Sequence, residues 1–364
     1  MQIENFKTGI EADPNLKTIN IDPKENVQNK KNIRALLKNI VESSLSSLKQ
    51  NLEEVYHSEA ELNGFHPINE IKGINAIKQM LWEPLLTSFP DLERRDNLII
   101  GGSFQDKIFV SCISHLTGTF TNTWLNIPAT NKTIHLRLCE VHQLKDNKII
   151  KSYVLIDVMD FIRQAGFWPI NPSFGIEEMW PGPIIGNGSS FENLDIKLSK
   201  ESLNQGLTMQ RSLNIKPEIE EGITNQEIRN KLIDHPQKDF WHKKMMWYGP
   251  CGIGTARGLE GFVDHHQLPF RLTFKERNYW KIGHYVELGD GPYSMTGGWH
   301  SITATHGSKD WLGYEPTQKQ ITMRVMDFYL HDEGLIRENW VPIDIVHILK
   351  QLDIDVFKLV EKMQ

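Results

Sequence analysis

The sequence predicts an α+β protein made of two copies of one domain, each with helices packed on a curved antiparallel sheet. Three observations support this prediction. The chain repeats itself at a constant spacing, each repeat places helical patterns before strand patterns, and a segment rich in Gly, Pro, Asn and Ser separates the repeats. Helices followed by a run of antiparallel strands are typical of α+β folds.

The repeat can be read without a gap from Trp124 and from Trp311. These two residues lie 187 positions apart, and Arg137 and Arg324 keep the same spacing. The same offset pairs Glu140 with Asp327, Tyr153 with Trp340, and Asp157 with Asp344. A coincidence of this length is improbable, so the chain carries a duplicated domain.

Each copy shows the same order of predicted elements. In the first copy, apolar residues at helical spacing predict helices over IRALLKNIVESSLSSLKQNLEEVY and GINAIKQMLWEPLLTSF. Strand-like runs follow, and the short helix VMDFIRQAG closes the copy. The second copy repeats this order and ends on IVHILKQL. The predicted boundaries are a polar tail (1–30), a first domain (31–170), a linker (171–222) and a second domain (223–364).

Composition excludes several classes of function. The net charge is -6, and there is no basic stripe, which argues against nucleic-acid binding. No apolar run approaches the roughly 20 residues of a membrane helix, and the N-terminus does not resemble a secretory signal. The three cysteines lack a CxxC spacing, which predicts a reducing, cytoplasmic environment and no zinc site. We expect no metal, no cofactor and a small-molecule ligand.

Two acids occupy the point where the last strand of each copy gives way to a helix. Asp157 and Asp344 lie there among apolar residues. One interpretation is that each caps its helix by accepting backbone N–H groups. The other is that each lies in a partly apolar pocket, where lost hydration raises its pKa and suits it to proton transfer. Both interpretations stay open at this stage.

The register of the final hairpin decides which residues accompany these acids. Tight turns at KDNK and DEGL predict that Asp157 shares a face with Glu140 and His142. By the same register, Arg137 points to the opposite face. In the second copy, the register groups Asp344 with Asp327, Tyr329 and Trp340. Such a mixture of acids and apolar residues is typical of a ligand pocket, but a bulge would move half of these side chains to the other face.

Several of these motifs resemble those of a known family. They are Arg-x-x-[Glu/Asp] on one strand, a tight turn, Ile336-Arg-Glu-Asn-Trp340, and an aspartate before an apolar helix ending in Arg-Gln or Lys-Gln. Together with the loops that follow Trp124 and Trp311, they resemble the SnoaL-like polyketide cyclase (ester cyclase) family of the nuclear transport factor 2-like, cystatin-like superfamily. The resemblance covers most of both halves.

The resemblance implies two tandem cystatin-like cone domains (α+β barrels), each with an apolar cavity. It also implies cofactor-free aldol cyclisation or isomerisation of a small carbonyl compound, in which an aspartate is the acid/base. The matching positions are Asp157 and Asp344. Family members use a supporting histidine, for which His142, His115 and His300 are alternatives. Because this fold also occurs in proteins without catalytic activity, a non-catalytic ligand-binding or scaffolding module is the competing interpretation.

Other side chains are candidates for substrate contact. They are Trp340, Tyr329, Asp327, Trp299, Tyr153, Glu140, Trp247 and Tyr248. Aromatic residues at helical spacing, as in WHKKMMWY, are more commonly core residues, and a strand histidine more commonly has a structural role. The second copy is the better candidate site, because its aromatic residues can line a larger pocket. The two copies are expected to form an internal pseudo-dimer, and homo-oligomers are possible.

Overall fold

The α+β class and the tandem arrangement are confirmed. The computed structural model describes residues 22–189, 191, 195–213, 222–278 and 283–364. Its described part divides into two compact units. The first unit holds the first copy and consists, among the described residues, of 22–169, 179–189, 191 and 342–364. The second unit holds the second copy, in the described residues 170–178, 195–213, 222–278 and 283–341.

The units differ from the sequence boundaries at three places. Of the predicted polar tail, residues 1–21 lie outside the described residues, and a helix begins at Pro23. The predicted linker contains the helix Ile196–Leu213, which belongs to the second unit. The C-terminal segment 342–364 belongs to the first unit. Each compact unit is therefore assembled from segments that are not contiguous in the sequence.

The helices of the first unit begin with α1, which Asp22 caps by accepting two backbone N–H groups. They are α1 (Pro23–Val41), α2 (Leu48–Val55), α3 (Ile74–Ile77), α4 (Glu83–Ser88), α5 (Val158–Gln164), and the C-terminal α10 (Ile345–Gln351) and α11 (Val356–Met363). A π-helical turn at Lys78–Trp82 joins α3 to α4. The single long helix predicted over residues 33–56 is thus two helices with a break after Val41.

Six described strands form the sheet of the first unit, in the order β2-β1-β6-β5-β4-β3. They are β1 (Tyr56–Gly64), β2 (Glu70–Lys72), β3 (Glu93–Phe104), β4 (Lys107–Thr119), β5 (Thr133–Lys145) and β6 (Lys148–Ile156). Strands β3 to β6 form the antiparallel meander that the sequence predicts. Strand β1 pairs with β6 in parallel.

The second unit repeats this plan. Its described helices are α6 (Ile196–Leu213), α7 (Asn225–Ile233), α8 (Gly258–Phe262) and α9 (Leu268–Thr273). Its described strands are β7 (Trp241–Tyr248), β8 (Thr255–Arg257), β9 (Phe274–Asn278), β10 (Val286–Asp290), β11 (Tyr293–His306), β12 (Gln320–Asp332) and β13 (Leu335–Trp340). They run in the order β10-β11-β12-β13-β7-β8, with β9 beside β11. WHKKMMWY is strand β7, which pairs with β13 and β8, and the Trp247 ring packs against Phe262 of the following helix α8.

A β-bulge changes the predicted register of the final hairpin in both copies. Leu144 pairs with Ile149, but Gln143 pairs with Lys151, which leaves Ile150 as the extra residue. Arg337 is the extra residue at the equivalent place in the second copy. Because one additional residue reverses the direction of every later side chain, the register predicted from the turns is wrong beyond the bulge.

Helices cover one face of each sheet, which we call the inner face. In the first unit, a Cβ atom on Gly101 would lie 2.3 Å from the Asn26 amide oxygen of α1. Gly101 pairs with Val110, and Val110 pairs with His142, so these residues share the face that α1 covers. In the second unit, α6 lies against Tyr329, as the Gln210 side chain shows by donating to its hydroxyl. None of the described helices is both long and apolar enough to cross a membrane.

Candidate functional site

The inner face of the first unit holds a buried ionic network. Glu140 is fully buried, and the Arg94 guanidinium lies 2.7 Å from its carboxylate. Arg94 also pairs with Asp96 at 2.7 Å and donates to the Ser114 hydroxyl at 3.0 Å. Burial alone would raise the pKa of Glu140, but Arg94 and then His142 outweigh it and hold that pKa at about 2. This carboxylate is therefore a permanent anion locked in the core.

His142 completes the network from the next inward position of β5. Its Nδ1 lies 2.8 Å from the Ser152 hydroxyl, and its Nε2 lies 3.7 Å from the Glu140 carboxylate. His142 is fully buried. Both ring nitrogens therefore face core groups, and the structure gives His142 a place in the network beside Glu140.

The equivalent acid of the second unit has different surroundings. Asp327 is half-buried, whereas its neighbours Tyr329, Asn339 and Thr296 are each 2% exposed. Thr296 pairs directly with Asp327 across β11 and β12, so the two share the inner face. Part of the Asp327 residue is exposed although these neighbours are sealed, and we call the surroundings of its side chain the recess. Asp327 is thus both enclosed and accessible.

The electrostatics of Asp327 follow from this enclosure. Burial raises its pKa to about 6, against the opposing effects of the His284 charge and of hydrogen bonds from Tyr329 and Asn339. Near neutral pH, such a carboxyl group can both take up and release a proton. Of the two equivalent acids, Asp327 alone has the ionisation expected of a general acid/base.

Hydrogen-bonding side chains surround Asp327. The Tyr329 hydroxyl accepts a hydrogen bond from Gln210 Nε2 at 2.9 Å, and the same nitrogen lies 2.8 Å from the Thr296 hydroxyl. Burial raises the pKa of Tyr329 well above its ordinary value, and the Asp327 charge adds to this effect, so the phenol keeps its proton. His284 Nδ1 pairs with the Glu287 carboxylate at 2.9 Å. The recess therefore offers a base, a phenolic donor and a histidine oriented by a carboxylate.

Asp157, one of the predicted catalytic acids, caps α5. Its Oδ1 accepts the Asp160 backbone N–H at 3.1 Å, and its Oδ2 accepts from Arg137 Nη1 at 2.9 Å. The bulge at Ile150 turns Asp157 onto the face of Arg137, away from Glu140 and His142. The predicted separation of Asp157 and Arg137 onto opposite faces is therefore wrong.

Asp344, the other predicted acid, caps α10 in the first unit. Its Oδ1 accepts the His347 backbone N–H at 3.1 Å. Its Oδ2 accepts the His66 backbone N–H at 2.9 Å, and Asp344 is 5% exposed. Both carboxylate oxygens thus hold backbone groups in place. The structure places Asp344 in a different compact unit from Asp327 and Tyr329.

The predicted aromatic residues divide between the two faces of the second sheet. Trp247 shares the inner face with Asn339, its parallel partner, and its ring stacks on His266 at 4.3 Å. Trp340 stacks on Tyr248 at 5.3 Å on the outer face. The bulge at Arg337 causes this division, because it moves Trp340 away from Tyr329. Trp340 and Tyr329 therefore cannot line one pocket together.

Three of the remaining candidates, Trp299, Tyr153 and His115, lie on outer faces. Trp299 is half-buried opposite Arg324, whose guanidinium lies 5.1 Å from its ring centre. His300 follows it at an irregularity of β11. In the first unit, Tyr153 pairs with Val141 and His115 pairs with Arg137. His115 thus faces away from Glu140 and His142.

Sequence reasoning missed the residues that give Glu140 and Asp327 their different surroundings. Arg94 lies on β3, 46 positions before Glu140, and Gln210 lies on a helix within the predicted linker. The sequence does not single out Asn339 and His284, because a lone amide or histidine carries no spacing signal. The duplication itself was the one usable signal, since it places Glu140 and Asp327 at the same position.

A family model described as SnoaL-like polyketide cyclase matches residues 42–165 and 225–352. No curated protein matches the chain. Similar solved structures include AclR from Streptomyces galilaeus, 18% identical over 39% of this chain and 82% of that chain, with a TM-score of 0.32. IdmH from Streptomyces antibioticus is 15% identical over 37% and 98%, with a TM-score of 0.30. A protein with a ketosteroid isomerase-like fold from Catenulispora acidiphila is 9% identical over 37% and 92%, with a TM-score of 0.30.

Proposed function

Because the chain belongs to the SnoaL-like polyketide cyclase family, with one match in each half, we propose that it is a cofactor-free acid/base enzyme. Its substrate is a small carbonyl compound, and its reaction is an aldol cyclisation or an isomerisation. Asp327 is the acid/base. The observation that supports this assignment is the half-buried Asp327 carboxyl group, whose pKa of about 6 contrasts with that of its locked counterpart Glu140.

The proposed reaction needs two groups in the recess. Asp327 removes a proton from the carbon next to the substrate carbonyl, and the electron pair moves onto the carbonyl oxygen to form an enolate. The Tyr329 hydroxyl, which donates to Asp327 before the substrate binds, turns its proton to that oxygen in a hydrogen bond, while its own oxygen accepts from Gln210. The enolate carbon attacks a second carbonyl carbon, or is reprotonated at another position. Asp327 then returns the proton to the resulting alkoxide or carbon.

The test measures exchange of α-hydrogens for deuterium in D₂O by proton NMR, with a panel of small ketones and β-keto esters. Asp327→Asn keeps the shape of the side chain but removes the base, so we expect exchange to fall at least about 100-fold. Asp157→Asn is the matched control, since that residue caps a helix. Full exchange in Asp327→Asn, or loss in Asp157→Asn with a folded protein, would reject Asp327 as the base.

A non-catalytic ligand-binding or scaffolding module is the second candidate. The observation that favours it is the engagement of both junction acids, Asp157 and Asp344, as helix caps. Under this alternative, the wild-type protein and every variant would bind members of the panel without accelerating exchange. Retained binding with exchange abolished in Asp327→Asn would favour the enzyme.

A further inference from the structure

The Gln210 side chain joins helix α6 to two strands of the second sheet. Its amide N–H groups donate to the Thr296 hydroxyl of β11 at 2.8 Å and to the Tyr329 hydroxyl of β12 at 2.9 Å. Thr296 pairs directly with Asp327, and Tyr329 lies two residues further along the same strand. Opposed residues have Cβ atoms about 5 Å apart, and alternate residues share a face. One amide group therefore spans the two hydroxyl groups that flank Asp327.

The ionised carboxylate of Asp327 fixes the direction of these hydrogen bonds. A carboxylate only accepts, so the Tyr329 hydroxyl is the donor in its hydrogen bond to Asp327. Because a phenol has a single proton, the bond between Tyr329 and Gln210 uses the Tyr329 oxygen as acceptor. The amide nitrogen of Gln210 must then face Tyr329, as it does in the structure. The hydrogen bonds thus run from Gln210 to Tyr329 and from Tyr329 to Asp327.

Helix α6 does not depend on Gln210 for its position. The Ser202 hydroxyl donates to the Gly291 carbonyl at 2.9 Å, and Gln205 Oε1 lies 2.6 Å from Nδ1 of His331. Both contacts hold the helix to the sheet at points before Gln210 in the chain. Replacing the Gln210 amide should therefore leave α6 in place, so that the effect of the amide on Tyr329 can be measured by itself.

The equivalent position in the first copy makes different contacts. The spacing of 187 residues pairs Tyr329 with His142. Nδ1 of His142 lies 2.8 Å from the Ser152 hydroxyl of β6, and its Nε2 lies 3.7 Å from the Glu140 carboxylate of β5. Both ring nitrogens thus face residues of the sheet. Among the described residues, a helix side chain bonds the neighbour of the acid in the second copy only.

We propose that Gln210 is a positioning residue, which directs the hydroxyl proton of Tyr329 at Asp327 and, when substrate is bound, at the substrate oxygen. The second of these steps rests on the proposed function. By donating to the Tyr329 oxygen, Gln210 polarises the hydroxyl group and strengthens the hydrogen bond that this group donates in turn. Gln210 itself contacts no reacting atom, so its effect passes through Tyr329.

A pH titration of Asp327 tests the first step without any substrate. The full chain carries ¹³C at its aspartate carboxyl carbons, and Asp327→Asn identifies the Asp327 signal by its disappearance. The hydrogen bond from Tyr329 lowers the pKa of Asp327, so weakening that bond raises the midpoint. Gln210→Met keeps the length of the side chain but removes the donor, and we expect the midpoint to rise by about 0.5 pH unit. Gln205→Met, on the same helix, is the matched control and should leave the midpoint unchanged.

A double-mutant cycle shows whether the effect passes through the phenol. Tyr329→Phe alone should raise the midpoint, because Asp327 loses the hydrogen bond. In the Tyr329→Phe protein, Gln210→Met should cause no further change. A purely structural role of Gln210 would lower the unfolding free energy, measured in urea, but would leave the midpoint of the folded protein in place. If Gln210→Met does not fold, Tyr329→Phe decides: an unchanged midpoint would show that Tyr329 does not donate to Asp327 and would overturn the proposal.

The exchange of α-hydrogens for deuterium tests the second step. We expect Gln210→Met to lower kcat for exchange about 10-fold, because the donor to the enolate oxygen is weakened. KM should stay within about 2-fold, since the enolate needs this donor more than the bound ketone does. Gln205→Met should behave as the wild-type protein.

The two measurements distinguish failure of this inference from failure of the proposed function. A wild-type protein that exchanges no α-hydrogen would reject the proposed function, while the titration would still test the effect of Gln210 on Tyr329. Equal midpoints for the wild-type protein and folded Gln210→Met would overturn the positioning role. A shift that persists in the Tyr329→Phe protein would overturn it as well, because Gln210 would then act on Asp327 without the phenol.

Discussion

Each copy of the repeat has one acid on the inner face of its sheet, Glu140 in the first copy and Asp327 in the second. In the first copy, an arginine lies beside this acid. Arg94 lies 2.7 Å from Glu140, whereas the described groups that influence Asp327 are a histidine and two hydrogen-bonding side chains. Burial acts to raise the pKa of both acids. Among the described residues, only Glu140 has an arginine beside it that outweighs burial, whereas the His284 charge near Asp327 does not outweigh it. One residue, Arg94, thus accounts for a permanent anion in one copy and a titratable carboxyl group in the other.

Replacing Glu140 tests the first half of this contrast. Glu140→Gln leaves the buried Arg94 with a neutral amide and with Asp96 as its remaining carboxylate partner, so we expect the unfolding free energy to fall by about 1–3 kcal/mol at pH 7. The folded pKa of Glu140 lies at about 2, below its ordinary value of 4.5. The ionised pair therefore stabilises the protein above about pH 5 and less as pH falls toward 2. Urea unfolding between these pH values measures both effects, and an equal acid dependence in Glu140→Gln would contradict the assignment.

The pH dependence of stability has the opposite sign at Asp327. Its folded pKa of about 6 lies above the ordinary 3.8, so the folded state binds the proton more tightly and the contribution of Asp327 to stability is greatest at low pH. Stability is lost as pH rises from about 4 to 6. We therefore expect Asp327→Asn to be more stable than the wild-type protein at pH 8, with the difference vanishing below about pH 4. Thermal unfolding of both proteins across this range measures the difference, and a wild-type protein that is the more stable at pH 8 would contradict it.

At the scale of the element, the final hairpin determines which residues meet. The alternation of apolar and polar residues located the strands, and the turns at KDNK and DEGL were placed correctly. The bulges at Ile150 and Arg337 could not be read from the sequence, because the apolar–polar alternation is irregular around them. Ile149 and Ile150 are both apolar, and Arg337, Glu338 and Asn339 are all polar. The prediction therefore found the strands but assigned Asp157, Tyr153 and Trp340 to the wrong faces.

Two other elements escaped prediction for physical reasons. Strand β7 contains three large aromatic residues at helical spacing, and its position beside β13 is a tertiary effect that local periodicity does not encode. Helix α6 lies between segments rich in Gly, Pro and Asn, so composition alone hid it. Since α6 carries Gln210 onto Tyr329, missing this helix also meant missing one wall of the recess.

The cap of α5 can be measured separately from its ion pair. Asp157→Asn keeps an oxygen that accepts the Asp160 N–H but loses the charge beside Arg137, whereas Asp157→Ala loses both. We expect the alanine variant to be less stable than the asparagine variant by about 1 kcal/mol, the usual value of an N-cap. Chemical denaturation of the two variants gives this difference directly. Equal stabilities would show that Asp157 contributes only its charge.

At the scale of the whole molecule, duplication has allowed the copies to diverge. Both keep the acid of the repeat, but a closed ionic network fills the inner face of the first unit. The second unit keeps an accessible acid with a phenol beside it. The resemblance between the halves was legible in the sequence. The difference between the two inner-face sites could not be read from the sequence, because it depends on Arg94 and Gln210, which lie far along the chain from the acids they affect.

This division predicts one reactive centre for each chain. Glu140→Gln should keep the α-hydrogen exchange activity of the wild-type protein within about 2-fold per folded molecule, because Glu140 is sealed in the core. Asp327→Asn should lose it. Exchange rates normalised to the folded fraction, as judged by circular dichroism, make the comparison. A large loss in folded Glu140→Gln would mean that both copies take part.

The ionisation of Asp327 can be measured without knowing any substrate. The full chain is labelled with ¹³C at the aspartate carboxyl carbons, and the signal that disappears in Asp327→Asn is followed through a pH titration by NMR. The account predicts a midpoint near pH 6 for this signal. A midpoint near the ordinary aspartate value of 3.8 would contradict it, since Asp327 would then be as weak a base at neutral pH as any carboxylate on the surface.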